Sequence, residues 1–372
     1  MAIYRIFPVK DTFIYSELSS GSAGIDEILE IAGYEDSSGV GRTSRTLIQF
    51  RTEDIQSVVN NNLNGASISA SIKLFLAEAS EIPADYTIYG YPISQSWTNG
   101  VGKFSDVPID TSGASWKYTL ANTGEEWDFM NLNTNVTSSY IDGQEGGASW
   151  YTGSGGNDLA SFQRHSLYSN DDLELDVSNA IELFYSESLD NNGFVLKLQN
   201  SLEFNTSSSI KLRYFSRDTN TIYPPYLEFK WDDSSYVTGS LSVLSSSNST
   251  VGIKNNKGIY TDEEKIRFRI NAKPKYPVRT FTTSSIYSTG YALPSGSYYG
   301  LKDENTGEMV IDFNTAFTKI SCDSNGPFFD LFLNSLQPER YYRLLIKTTI
   351  DGSDIIYDDK NIFKLIRNGT RS

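Results

Sequence analysis

The stretch FSRDTNTIYPPYLEFKWDD, Phe215–Asp233, decides how this chain is read. Leu227, Phe229 and Trp231 alternate with Glu228 and Lys230, the period of a strand with one buried face. Proline has no N–H to give to a β-ladder, so Pro224-Pro225 belongs at the first position of that strand. Asp232-Asp233 ends it. The next segment, DSSYVTGSLSVLSSSNST (233–250), is Ser-rich and weakly apolar, which predicts a linker. The expected organisation is therefore a domain over residues 1–233, a linker over 234–250 and a second domain over 251–372.

Working outward, a chain of 372 residues is long enough for two cores without disulfides or metals. Its 20 Phe, 5 Trp and 24 Tyr, set among many Ser, Thr, Asn and Gly, are the mixture of pleated strands and polar turns. Period-two segments recur at 3–15, 27–35, 45–51 and 66–79, and again at 173–177, 193–199, 210–217 and 225–231. DIQSVVNNNL (54–63) reads as a short helix with Ile55, Val58 and Val59 on one side. A second helical turn is expected over Asn179–Tyr185, capped by Ser178. Beyond the linker, strands are predicted at 263–272, 308–314, 328–334, 340–351 and 361–367. The fold class is all-β: an N-terminal jelly-roll β-sandwich followed by an immunoglobulin- or fibronectin-like β-sandwich.

Charge is unevenly divided. Residues 1–233 carry 14 Lys+Arg against 32 Asp+Glu, a net −18, and residues 234–372 carry 17 against 14, a net +3, which recovers −15 for the chain. A first domain this acidic repels a phosphate backbone, so no nucleic-acid partner is expected. No run approaches the roughly 18 apolar residues of a membrane span, so no membrane insertion is expected either. The single cysteine, Cys322, cannot form an internal disulfide, and MAIYRIFPVKDTF lacks the basic leader and apolar segment of a signal peptide. Synthesis in a reducing cytoplasm is the expectation.

Seven segments, in order, resemble the DNRLRE-type domain, a jelly-roll module related to carbohydrate-binding modules. KDTFIY (10–15) looks like its opening strand, RTSRTLIQF (42–50) like its arginine-rich strand, and ASISASIKLFL (66–76) like the next core strand. ISQSWTNGVGKFSD (93–106) looks like its tryptophan loop, and LELDVSNAIELF (173–184), NNGFVLKL (191–198) and SSIKLRYFSRDTNTIYPPYLEF (208–229) like its closing portion. Arg51, Pro224 and Tyr226 depart from the residues usual in that family. The resemblance implies a jelly-roll fold over about 230 residues.

Few residues point to catalysis. The only histidine, His165, cannot build a histidine metal cluster, and no GxSxG, GxxxxGK[ST] or GxGxxG motif is present. No cofactor is expected; calcium is the ion that oxygen-rich turns such as Asp190–Asn192 and Asp232-Asp233 would suit, although none follows EF-hand spacing. The densest candidate for binding is the aromatic region between residues 94 and 165. Here Trp97, Trp116, Trp127 and Trp150, with Tyr118, Tyr140 and Tyr151, would offer flat platforms for sugar rings, or else plug the core under long loops. GASW occurs twice there, at Gly113–Trp116 and Gly147–Trp150, which predicts the same local job for both copies.

Two β-sandwiches without a catalytic constellation describe part of an assembly better than an enzyme. The composition resembles structural proteins of tailed bacteriophages. That resemblance implies a non-enzymatic virion component (appendage, neck, tail or capsid decoration) made in the host bacterial cytoplasm and oligomeric within the particle. Its partners would be other virion proteins and, through the aromatic loops, host-surface glycans; the alternative is a carbohydrate-binding module protein or a polysaccharide-degrading enzyme. The charge split favours residues 234–372 for the main protein contacts, against docking of the first domain through its apolar loops.

Overall fold

The structure is a computed structural model that describes residues 2–63, 65–80, 82–128, 136–139, 145–152, 159–166, 168–169, 172–276 and 290–368. The chain is all-β, and its α-helices among the described residues are Thr52–Asn61 and Ser178–Tyr185. It divides into two compact units. The first comprises Ile6–Asn64 and Ile68–Glu228, the second Phe229–Ser372 with Met1–Arg5 and Gly65–Ser67.

The first unit is built on a large antiparallel sheet. Its strands run in the order Ser161–Ser166, Asp85–Pro92, Phe194–Leu198, Gly41–Gln49, Ile28–Glu35, Ile210–Phe215 and Leu76–Ser80, with Lys10–Tyr15 also paired to Gly41–Gln49. On one side lies a smaller sheet in which Ala70–Leu74 stands between Leu173–Asp176 and Tyr226–Trp231. The two sheets touch where Gly90 leaves room for Leu175, since a Cβ at Gly90 would come within 2.3 Å of that side chain. The opposite side of the large sheet is covered by the aromatic loops. A strand covered on both sides has no solvent-facing residues to make polar, and Phe194–Leu198 is accordingly buried at every position, Lys197 included.

The second unit pairs Ser249–Ile253, Lys265–Pro274, Gly326–Phe332 and Ser321–Asp323 in one sheet. Ile259–Thr261, Ser353–Ile366, Arg340–Ile350, Ser297–Asp303 and Met309–Ile311 form the other. Side chains from both sheets share one core. Tyr299 stacks on Phe329 at 4.4 Å between ring centres, and Phe268 meets Phe363 at 5.9 Å. This is a β-sandwich in the usual sense of two facing sheets with an apolar filling.

Several elements differ from expectation for identifiable reasons. Residues 3–15 form two strands, Ala2–Ile6 and Lys10–Tyr15, separated around Pro8, which cannot continue a ladder. Residues 66–79 also split: Ala70–Leu74 joins the small sheet and Leu76–Ser80 the large one, so the chain changes sheets at Phe75. Ser178 is the first helical residue, not a cap; its N–H and hydroxyl both donate to Asp176 Oδ1, at 2.9 and 2.6 Å. Strand 361–367 extends back to Ser353 because Asp351 and Gly352, both at positive φ, make a two-residue hairpin with Arg340–Ile350.

Pro224-Pro225 immediately precedes the strand Tyr226–Trp231, as its missing donors require, but the division between units falls inside that strand and not after Asp233. The Ser-rich segment expected as a linker lies within the second unit. Tyr236 bridges Cys322, the Val237 N–H donates to the Cys322 carbonyl at 3.0 Å, and the Leu244 N–H donates to Ala292 at 2.8 Å with its side chain buried. Backbone groups pair wherever a neighbouring edge offers partners, whatever the side chains.

Candidate functional site

The four tryptophans of the aromatic region come together, but inward. Trp97, Trp116, Trp127 and Trp150 are all buried, none more than 6% exposed, in one cluster with Ile14, Leu47, Ile93 and Val195 on the sheet. Their polar handles are used: Trp97 Nε1–H donates to Asn192 O at 2.8 Å and Trp127 Nε1–H to Ser115 O at 2.9 Å. An indole covered on both faces offers no platform to a sugar, so of the two alternatives for these four rings the structure has the core plug and not the ligand platform. Tyr118 and Tyr151 are half-buried at the margins of the layer. Tyr140 lies outside the described residues.

The repeated GASW segments do have the same job. Ala114 and Ala148 are fully buried, and the two glycines let backbone pass where a Cβ would collide, Gly113 with Asn99 O at 2.4 Å and Gly147 with the Trp116 ring at 2.6 Å. Each segment then delivers its tryptophan to the same guanidinium: Arg45 lies over Trp116 at 4.9 Å and over Trp150 at 5.1 Å.

Arg45 anchors the polar centre that the sequence reading missed. It is buried in Gly41–Gln49 and holds Glu203 bidentately, Nε to Oε1 at 2.8 Å and Nη2 to Oε2 at 2.9 Å, while Nη1 donates to Gly147 O at 2.5 Å. Lys197 Nζ reaches the same carboxylate at 2.7 Å and also donates to Leu198 O and Asn200 Oδ1. The turn bearing Glu203 can lie this close because Gly33 and Gly41 have no side chains. A Cβ at either would stand 2.1 Å from a turn carbonyl, Leu202 O or Phe204 O. The available signal was the run Thr43-Ser44-Arg45-Thr46, polar residues in a strand that continues into Leu47-Ile48; all four are buried.

Chemically this centre is a clamp. Burial works against ionising Glu203, but Arg45 and Lys197 overcome it and hold the carboxyl below its usual range, so it stays an anion near neutral pH and is no proton donor there. Burial, with Arg45 adding to it against the pull of Glu203, lowers Lys197 to about 8. Two cations and one anion, hydrogen-bonded within the strands and turns, tie the sheet to the loops above it.

Three further titratable groups are buried outside this centre. His165 is fully buried in Ser161–Ser166 and stacks flat on Tyr86, ring centres 4.6 Å apart. Asp11 is 2% exposed; its Oδ2 accepts the Arg217 N–H at 2.7 Å while Oδ1 has no partner among the described residues, and burial foremost raises its pKa to about 7. Cys322 is buried in Ser321–Asp323, its thiol pushed up by burial. Among the described residues no group of three His, Cys, Asp or Glu is placed to hold a metal ion, and no helix is long and apolar enough to cross a membrane.

No family model matches the chain, and no curated protein matches it.

Proposed function

We propose that this chain is a non-enzymatic structural component of a larger assembly, of the kind found in the neck, tail, appendages or capsid decoration of tailed-phage particles. The observation that carries this reading is the use made of the aromatic loops. The residues best suited to hold a ligand, four tryptophans and the Arg45–Glu203–Lys197 centre, are engaged with one another and pack the described parts of the loops as a third layer on the sheet. A scaffold of that build presents surfaces and does not close over a substrate. The Asn-, Ser-, Thr- and Tyr-rich composition supports the virion setting, with other virion proteins as partners.

The test is quantitative mass spectrometry of purified particles from cells that express the protein. A fixed copy number per particle is expected. Absence from particles that are otherwise complete would overturn the reading.

A further inference from the structure

The first unit carries an exposed apolar surface on two loops, residues 17–27 and 99–112. Val107 is 95% exposed, Val101 64% and Phe104 48%, and Ile25 and Ile109 are exposed in the same two loops. Isolated exposed apolar residues are ordinary, whereas several gathered on one face mark a contact surface.

The loops are joined to each other. Ile25 N–H donates to Gly102 O at 3.1 Å, Ser22 N–H to Asp110 O at 2.9 Å, and Asn99 Nδ2 to Gly24 O at 2.5 Å. Their base is locked by backbone passing against backbone: a Cβ at Gly24 would lie 1.9 Å from Asn99 O, and one at Gly102 would lie 2.4 Å from Ser22 O. Above that base the loop amides are satisfied internally, Phe104 N–H by Asp26, Lys103 N–H by Asp106 and Val101 N–H by Ser112. From beneath, the Phe104 ring rests on Tyr15 at 4.7 Å and on Phe13 at 5.8 Å. The surface is therefore preformed, and binding does not have to order it.

The two loops are predominantly acidic. They contain Glu17, Asp26, Glu27, Asp106 and Asp110 against a single cation, Lys103, which is bound to Glu27 at 2.7 Å. The potential reaches the Tyr15 hydroxyl beneath, which burial first and then Asp26, Glu17 and Asp106 raise to about 12. Phosphates of nucleic acid or anionic lipid are repelled by such loops, and so is the same face of a second copy.

We propose that this face docks a partner protein whose contact surface is apolar at its centre and ringed by Lys and Arg. The inference goes beyond the assembly reading, because it stands on the geometry of these loops wherever the protein resides. Central apolar anchors give such a contact its strength, and the charged rim gives it selectivity and encounter rate.

The test is calorimetric titration of the full chain with a synthetic amphipathic peptide of leucine and lysine. Its glutamate-for-lysine counterpart and phosphatidylserine vesicles serve as competing probes. The expected result is binding of the lysine peptide that weakens with added salt and falls about tenfold or more in a Val101→Ser/Val107→Ser variant, whose replaced side chains are too exposed to unfold it. Phe104→Ser should fall alike. Unchanged affinity in the valine variant, no binding of the lysine peptide, or equal binding of either competing probe would overturn the proposal.

Discussion

At the scale of single residues, two groups have their natures decided by surroundings. Trp116 and Trp150 fill the space between loops and sheet and hold the Arg45 guanidinium. Truncating either to alanine should cost about 3–5 kcal/mol in urea unfolding, the range for large aromatic deletions in a core. An undiminished unfolding midpoint would return these rings to the surface and to ligand binding. Asp11 behaves differently, because its folded pKa of about 7 lies above the ordinary carboxylate value of 3.8. A raised acid contributes full stability below the unfolded value and loses it as pH rises through the folded one. Wild type should therefore lose stability relative to Asp11→Asn between about pH 4 and 7, by roughly 2–4 kcal/mol, with no further change above that window. Asparagine keeps an acceptor for the Arg217 N–H, so a difference that grew with falling pH would show that the carboxylate is paired.

At the scale of elements, glycine positions explain how turns and sheet meet. Gly33 in Ile28–Glu35 and Gly41 in Gly41–Gln49 give the 199–204 turn its seat, and the turn in turn sets Glu203 on Arg45 and Lys197. Gly33→Ala should destabilise by roughly 1–3 kcal/mol, as overpacking against backbone does. Because both changes disturb one arrangement, Gly33→Ala and Glu203→Gln should be non-additive in a double-mutant cycle, whereas strict additivity would uncouple the turn from the clamp. The small sheet was readable residue by residue, since Leu173 and Leu175 alternate with Glu174 and Asp176. Phe194–Leu198 carries a single polar residue, Lys197, and is buried at every position, because its second face is taken by loops whose placement no local pattern reveals.

At the scale of the whole chain, the segment 234–250 gives the clearest test of organisation. Its backbone is paired through Tyr236, Val237 and Leu244, so limited proteolysis should leave it intact as long as the second unit is folded. Early cleavage there would restore the linker reading. By itself the sequence determined that this protein is all-β, where most strands run and that acidic charge is concentrated in residues 1–233. Each of these follows from composition or short-range periodicity, which a side chain carries wherever it goes. Only the tertiary structure decided that the tryptophans face inward, that Glu203 meets Arg45 across 158 positions and that Val101, Phe104 and Val107 remain outside. The physical reason is that an indole or a phenyl ring packs in a core or stands at a surface, and a carboxylate enters a core only where cations meet it. Which it joins depends on neighbours brought from distant parts of the chain, and on glycines whose missing side chains let backbones approach.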